Sequence, residues 1–137
     1  MFQNKLQKLK YERGKILKKR ILIVDDEPSI VRLLSLRLQA KNYEVFVAYD
    51  GIECVKIALE EVPDLILLDI KMPNEDGIGA FKKLNQLEKT KGIPVIFMTA
   101  YPKFELKNQV LEMGAKDCIS KPFISEDFEQ TIALAIA

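Results

Sequence analysis

Two aspartates, Asp25 and Asp26, follow directly on an apolar tetrad, Ile21–Val24. Asp69 closes a second apolar run, Leu65–Leu68, and Thr99 a third, Val95–Met98. Lys121 follows a shorter stretch of strand character, Cys118–Ser120. Carboxylates are hard oxygen ligands for divalent cations, and an aspartate can also act as a nucleophile toward phosphorus. Brought into one crevice, three carboxylates repel. One or more then carries a raised pKa unless a cation neutralises the group. Oxygen ligands with room for waters favour Mg²⁺, with Mn²⁺ as a substitute. The chain has no histidine, which excludes Ser–His and Cys–His nucleophile pairs and His-ligated zinc. Its two cysteines, Cys54 and Cys118, are far apart and cannot complete a four-ligand zinc site, so both read as reduced, buried thiols.

The elements that would gather these residues can be read from the hydrophobic pattern. Ile21–Val24, Leu65–Leu68 and Val95–Met98 are continuous apolar runs, as in strands buried on both faces. Val45–Ala48 and Cys118–Ser120 are weaker strands. Between them lie segments of helical period: Ser29–Lys41 with Ile30, Leu33, Leu34 and Leu38, Ile52–Val62 with Ile52, Val55, Leu59 and Val62, and Phe104–Met113 with Leu106, Val110 and Met113. Ile78–Leu87 and Ser125–Ala137 complete the set. Pro28 and Pro102 suit helix starts, Gly114 a helix stop, and Asp50-Gly51, Asn74 and Gly77 loops. Strands alternating with helices imply βαβ units and a parallel sheet. The expected fold is α/β, a flavodoxin-like (βα)₅ doubly wound parallel sheet of order 2-1-3-4-5. Ligands bind such sheets at the carboxyl ends of the strands where the order reverses, between the first and third strands. Asp25, Asp26 and Asp69 fall there, with Thr99 and Lys121 at the neighbouring strand ends.

The 137 residues are enough for one domain, and the 48% apolar and 30% charged shares are those of a globular chain. No signal peptide or span is expected, because the first apolar run is four residues long, and the reading is cytoplasmic with no membrane partner. Residues 1–20 hold eight Lys or Arg and one Glu, leaving 13 basic and 19 acidic residues for the remainder. The expected organisation is therefore a basic N-terminal arm, 1–19, ahead of an acidic domain, 20–137. Phe2, Leu6, Leu9 and Ile16 could make one stripe of a helix, which Arg13 and Gly14 weaken. Most charge runs are solvated, so nucleic acid is not counted among the expected partners.

Four motifs in order, ILIVDDEPSI, LILLDIKMPNEDG, PVIFMTA and GAKDCISKPF, resemble the receiver domain of bacterial two-component response regulators, over about residues 20–135. The resemblance implies that Asp69 is the phosphoacceptor that becomes an acyl phosphate. It implies that Asp26 ligates Mg²⁺ directly, that Asp25 acts beside it through water, and that Asp69 and the Lys71 backbone carbonyl complete the metal site. Thr99 and the Ala100 amide would bond phosphoryl oxygens, and Lys121 would pair with another. Pro73 and Gly77 would shape one loop, and Pro122, cis in the family, another. The implied donor is a histidine kinase or phosphotransfer protein, the output a protein partner not named by the sequence, and the role a switch rather than an enzyme in the ordinary sense. In-line phosphoryl transfer demands alignment and charge neutralisation, which these residue types supply.

One position departs from the family. Three residues before Lys121 the family usually carries Tyr or Phe, and this chain has Cys118. A small thiol puts the usual aromatic rotamer switch in doubt. Cys118 is then expected at or near the partner surface, with Phe97 or Phe123 filling the space beside Thr99. Lys71 and Tyr101 read either as tuners of phosphoryl lifetime or as rim residues. An FMN module would want a small-residue phosphate loop where Asp25-Asp26-Glu27 stands. A haloacid-dehalogenase-type phosphatase would want Asp-x-Asp where Asp69-Ile70-Lys71 stands. A receiver that binds partners without phosphorylation would not need the complete set. The chain ends after the fifth helix, so output is expected through docking, or the domain is a piece of a longer chain.

Overall fold

Strands that must be apolar on both faces can lie only in the middle of a covered sheet, and the three continuous runs lie there. In the structure, a computed structural model describing residues 18–72, 76–100, 103–121 and 126–136, they are β1 (Arg20–Val24), β3 (Leu65–Asp69) and β4 (Val95–Thr99). Every residue of β3 and β4 is buried. The two weaker candidates, β2 (Glu44–Ala48) and β5 (Asp117–Ser120), are half-covered edges. All pairs are parallel and the order is β2-β1-β3-β4-β5, as expected. The helices are α1 (Pro28–Ala40), α2 (Gly51–Glu61), α3 (Gly77–Gln86), α4 (Phe104–Glu112) and α5 (Glu126–Ile136). Among the described residues, no helix is long and apolar enough to cross a membrane.

Side-chain alternation along the strands divides the core into two layers. Ile21, Ile23, Leu65 and Leu67 face Leu34 and Leu38 of α1 and Phe128 and Ile132 of α5. Leu22, Val24, Ile66, Leu68 and Phe97 face α2, α3 and α4 on the other side. Phe97 is fully buried, and its ring meets Phe81 of α3 edge-on at 5.2 Å.

Two helix faces differ from the sequence expectation. In α1 Val31 is buried with Leu34 and Leu38, while Leu33 is only partly covered. In α2 the buried residues are Gly51, Cys54 and Ala58, whereas Ile52 is 60% exposed and Val62 38% exposed. The reason is distance. A helix laid closely on a sheet presents its small residues to it, and its larger ones flank the contact.

Asp50-Gly51 and Gly77 are helix starts rather than loops. Asp50 accepts a hydrogen bond from Glu53 N at 2.8 Å, and Asp76 accepts one from Gly79 N at 2.8 Å, each satisfying an amide that a helix N-terminus leaves open. Gly114, at φ +107°, ends α4 as expected. Val62 also takes a left-handed conformation, φ 44°, after α2. Arg20 pairs with Glu44 and Glu61, donates to the Glu61 carbonyl, and lies 4.7 Å from the centre of the Phe46 ring. One charge of the basic segment is thus neutralised within the sheet, at the end opposite the carboxyl ends of the strands. The arm as far as residue 17, with its helical stripe, lies outside the described residues, as do Pro73, Asn74, Tyr101, Pro102, Pro122 and Phe123.

Candidate functional site

Parallel strands of matched length end on one rim, so the residues that follow them meet there. Register pairs Val24 with Leu68, Asp69 with Met98, and Thr99 with Ser120. Asp25, Asp69, Thr99 and Lys121 therefore stand in a row across β1, β3, β4 and β5. Asp25 is fully buried and Asp69 and Thr99 nearly so. Lys121 is held from β4, its amide donating to the Thr99 carbonyl at 2.8 Å.

Lys121 organises the centre. Its Nζ lies 2.6 Å from Asp25 Oδ2, 3.2 Å from Asp69 Oδ2 and 3.4 Å from Glu27 Oε1, and its side chain is only 6% exposed. Asp25 Oδ1 accepts from the Glu27 amide at 2.9 Å, which fixes the turn into α1. Asp25 Oδ2 has the Lys121 ammonium as its partner. Asp26 and Glu27 are exposed, and carboxylate oxygens of Asp25, Asp26 and Glu27 come within 4.8 Å of one another. Glu27 is a member of the site that the sequence pattern does not single out. Its adjacency to Asp25-Asp26 is a signal, but nothing in the sequence says which way its side chain turns. Asp69 joins these acids through Lys121, whose ammonium lies between it and Asp25. Lys71, two residues beyond Asp69, and Ala100, directly after β4, are both exposed at this rim.

The site's electrostatics follow from this crowding. Burial, then the neighbouring charge of Asp25, pushes Asp69 up from 3.8 to about 6, although Lys121 opposes the shift. Burial pulls Lys121 down, but the Asp25 and Asp69 carboxylates outweigh it, and its pKa is raised. A raised carboxylate binds its proton more tightly in the folded state. Its stabilising contribution is therefore full below about pH 4 and is lost as pH rises toward 6. In protein stripped of divalent cations, the stability of wild type relative to Asp69→Asn should fall across that window by about 1–3 kcal/mol, the upper figure being about two pKa units at 1.36 kcal/mol each and solvent screening reducing it. Urea unfolding at several pH values in chelator measures it, and a flat difference would contradict the assigned crowding.

The loop after Asp69 returns against the strand end. The Gly77 amide donates to the Ile70 carbonyl at 2.8 Å. A Cβ at Gly77 would overlap the Asp69 carbonyl oxygen and stand 2.9 Å from its carbon. These are backbone atoms and cannot turn aside. Gly77→Ala is therefore expected to cost about 1–3 kcal/mol and to displace the Asp69 backbone. The checks are denaturant midpoint and amide shifts at residues 69–71, and an unperturbed Asp69 amide would refute the close-approach argument.

Cys118 does not stand at a partner surface. It is 5% exposed, paired in register with Phe97 and packed in the α2–α4 layer. Alternation along β5 turns it inward, and burial pushes its thiol pKa up. It is ordinary core, and Phe97 beside it is locked against Phe81.

The comparisons agree with this architecture. The model of the response regulator receiver domain matches residues 21–133. The DNA-binding dual master transcriptional regulator RpaA of Synechocystis is 40% identical over 114 residues, 83% of this chain and 46% of that one. The alkaline phosphatase synthesis transcriptional regulatory protein PhoP of Bacillus subtilis is 44% identical over 107 residues, 78% of this chain and 44% of that one. The chain thus spans less than half the length of these relatives. Among solved structures, the Vibrio cholerae chemotaxis protein CheY4 superposes with a TM-score of 0.81 at 30% identity, covering 86% of this chain and 98% of that one. The BeF₃-activated N-terminal receiver domain of Klebsiella pneumoniae RstA superposes with a TM-score of 0.80 at 27% identity, covering 86% and 98%. With the sheet order, the row of acids and lysine at its carboxyl rim, and a family match running through all five strand–helix units, this chain belongs to the response regulator receiver domain family.

Proposed function

We propose that Asp69 is the phosphoacceptor of a signalling switch, charged by a histidine kinase or phosphotransfer protein in a Mg²⁺-dependent reaction. The observation that carries this is the Asp69 carboxylate itself: buried at the end of β3, facing Lys121 at 3.2 Å, beside an acidic cluster able to take a cation. The donor lies outside these 137 residues, because they hold no histidine to carry the group. Asp69 attacks phosphorus through one carboxylate oxygen as the bond to the donor breaks. Lys121 pairs with a phosphoryl oxygen, and Thr99 and the Ala100 amide donate to others as charge moves onto them.

The residues fit a hard cation. Asp25 is buried, and the exposed Asp26 and Glu27 bring further carboxylate oxygens within 4.8 Å of its own, a group of acids with only the Lys121 ammonium, at 2.6 Å from Asp25, to offset it among the described residues. Asp25, Asp26, Asp69 and the Lys71 carbonyl would hold Mg²⁺, or Mn²⁺ in its place. The cation supplies positive charge that offsets the incoming phosphoryl oxygens. The phosphoryl contacts to Thr99 and Lys121 then bias the domain toward a second conformation that a partner protein reads, in the cytoplasm.

Intact-mass analysis after incubation with Mg²⁺ and acetyl phosphate tests the proposal. One added phosphoryl group, removed by hydroxylamine and absent in chelator, is expected. Equal labelling with chelator would defeat the mechanism.

A further inference from the structure

Glu27 occupies the N-cap position of α1, yet its side chain makes no capping hydrogen bond. Asp, Asn, Ser and Thr are the residues that cap well. The backbone of Glu27 serves the helix: its carbonyl accepts from the amides of Ile30 and Val31 at 3.1 Å each. Pro28 at the first helical position removes one amide that a capping side chain would otherwise satisfy. The carboxylate turns instead toward Lys121, accepting from Nζ at 3.4 Å.

An ammonium has three N–H donors, and Lys121 has three carboxylates around it. Asp25 and Asp69 are buried at strand ends, at 0% and 7% side-chain exposure, while Glu27 is 57% exposed on the solvent side. For Lys121 to reach a phosphoryl oxygen, one of these contacts must be released. Glu27 can exchange its contact for water, whereas buried Asp25 cannot. An anionic donor coming from solvent also meets the Glu27 charge before it meets Asp69.

We infer that Glu27 is a positioning residue that restrains Lys121 in the resting protein and adds negative charge at the mouth of the site, slowing the charging of Asp69 by anionic donors. This rests on the phosphoacceptor reading above. The effect is of the size of one exposed ion pair, up to about fivefold in rate.

The experiment compares wild type, Glu27→Gln and Glu27→Asp for the rate of labelling by acetyl phosphate at saturating Mg²⁺, at low and high salt. It also reads the ¹⁵N signal of the Lys121 ammonium before phosphodonor is added, and Mg²⁺ affinity by calorimetry. Glu27→Gln is expected to label about two- to fivefold faster at low salt, with the gap closing as salt screens the charge. Its Lys121 signal should shift. Glu27→Asp keeps the charge at the mouth but, as a shorter side chain that caps well, lets go of Lys121, so its rate should fall between those of wild type and Glu27→Gln. Equal rates for wild type and Glu27→Gln at low salt would overturn the inference and leave the phosphoacceptor reading standing. A slower Glu27→Gln with weakened Mg²⁺ binding would also overturn it, by making Glu27 a metal ligand. If wild type takes no label at all, the phosphoacceptor reading fails and the inference falls with it.

Discussion

Asp69→Asn is expected to abolish the hydroxylamine-sensitive phosphoryl label while leaving the fold intact. An amide is no nucleophile toward phosphorus, and no other described carboxylate combines Asp69's burial, its place at a central strand end, and a lysine at 3.2 Å. Asp25 is buried against the same lysine but is tied by its other oxygen to the Glu27 amide. The substitution should not unfold the protein. Asn has the same shape, and the carboxylate it replaces is already held up at about 6 by burial and by Asp25. At pH 7 without metal, the Asn protein should be at least as stable as wild type. Intact mass and urea unfolding, run on the same sample, separate the two claims. An Asp69→Asn protein that still carries a normal acyl phosphate would remove Asp69 from its role.

Lys121→Met should have the largest effect on stability. The ammonium neutralises two carboxylates that have almost no access to solvent, Asp25 at 2.6 Å and Asp69 at 3.2 Å. Removing one partner of a buried ion pair leaves the other charge uncompensated, at a cost of about 3–5 kcal/mol. The loss should be greatest at pH 7 in chelator and smaller at pH 5, where Asp69 can take up a proton. Mg²⁺ should recover part of it, since a cation among the same oxygens does part of what the ammonium did. Thermal or urea unfolding at the two pH values, with and without Mg²⁺, measures this. A loss independent of pH and metal would mean that Lys121 contributes packing rather than charge.

Much of the fold is legible directly in the residues. Ile21–Val24, Leu65–Leu68 and Val95–Met98 are apolar without alternation, and only strands covered on both faces tolerate that. Those three runs determined the α/β class and, with their helical spacers, the parallel sheet. Because each reactive residue closes or directly follows a strand, its position in sequence is also its position on the rim. Strand order alone therefore brings Asp25, Asp69, Thr99 and Lys121 together.

The rest depended on relations that a linear pattern does not carry. Which face of α2 lies on the sheet was decided by how closely the helix approaches. Large residues gave Ile52 and Val62 the stronger sequence signal, but contact at short range selected Gly51, Cys54 and Ala58. Whether Cys118 faces a partner or the core was decided by its register opposite Phe97. That Gly77 must be glycine was decided by the return of its loop onto the Asp69 backbone, a contact between residues eight apart. The orientation of Glu27, at a helix start where many side chains would cap, was decided by Lys121 arriving from 94 residues away. Which chemical groups stand at the strand ends is written locally, because burial on two faces leaves a mark in each segment. How those groups pair is set by the packing of the elements, because pairing depends on distances between them that no single segment encodes.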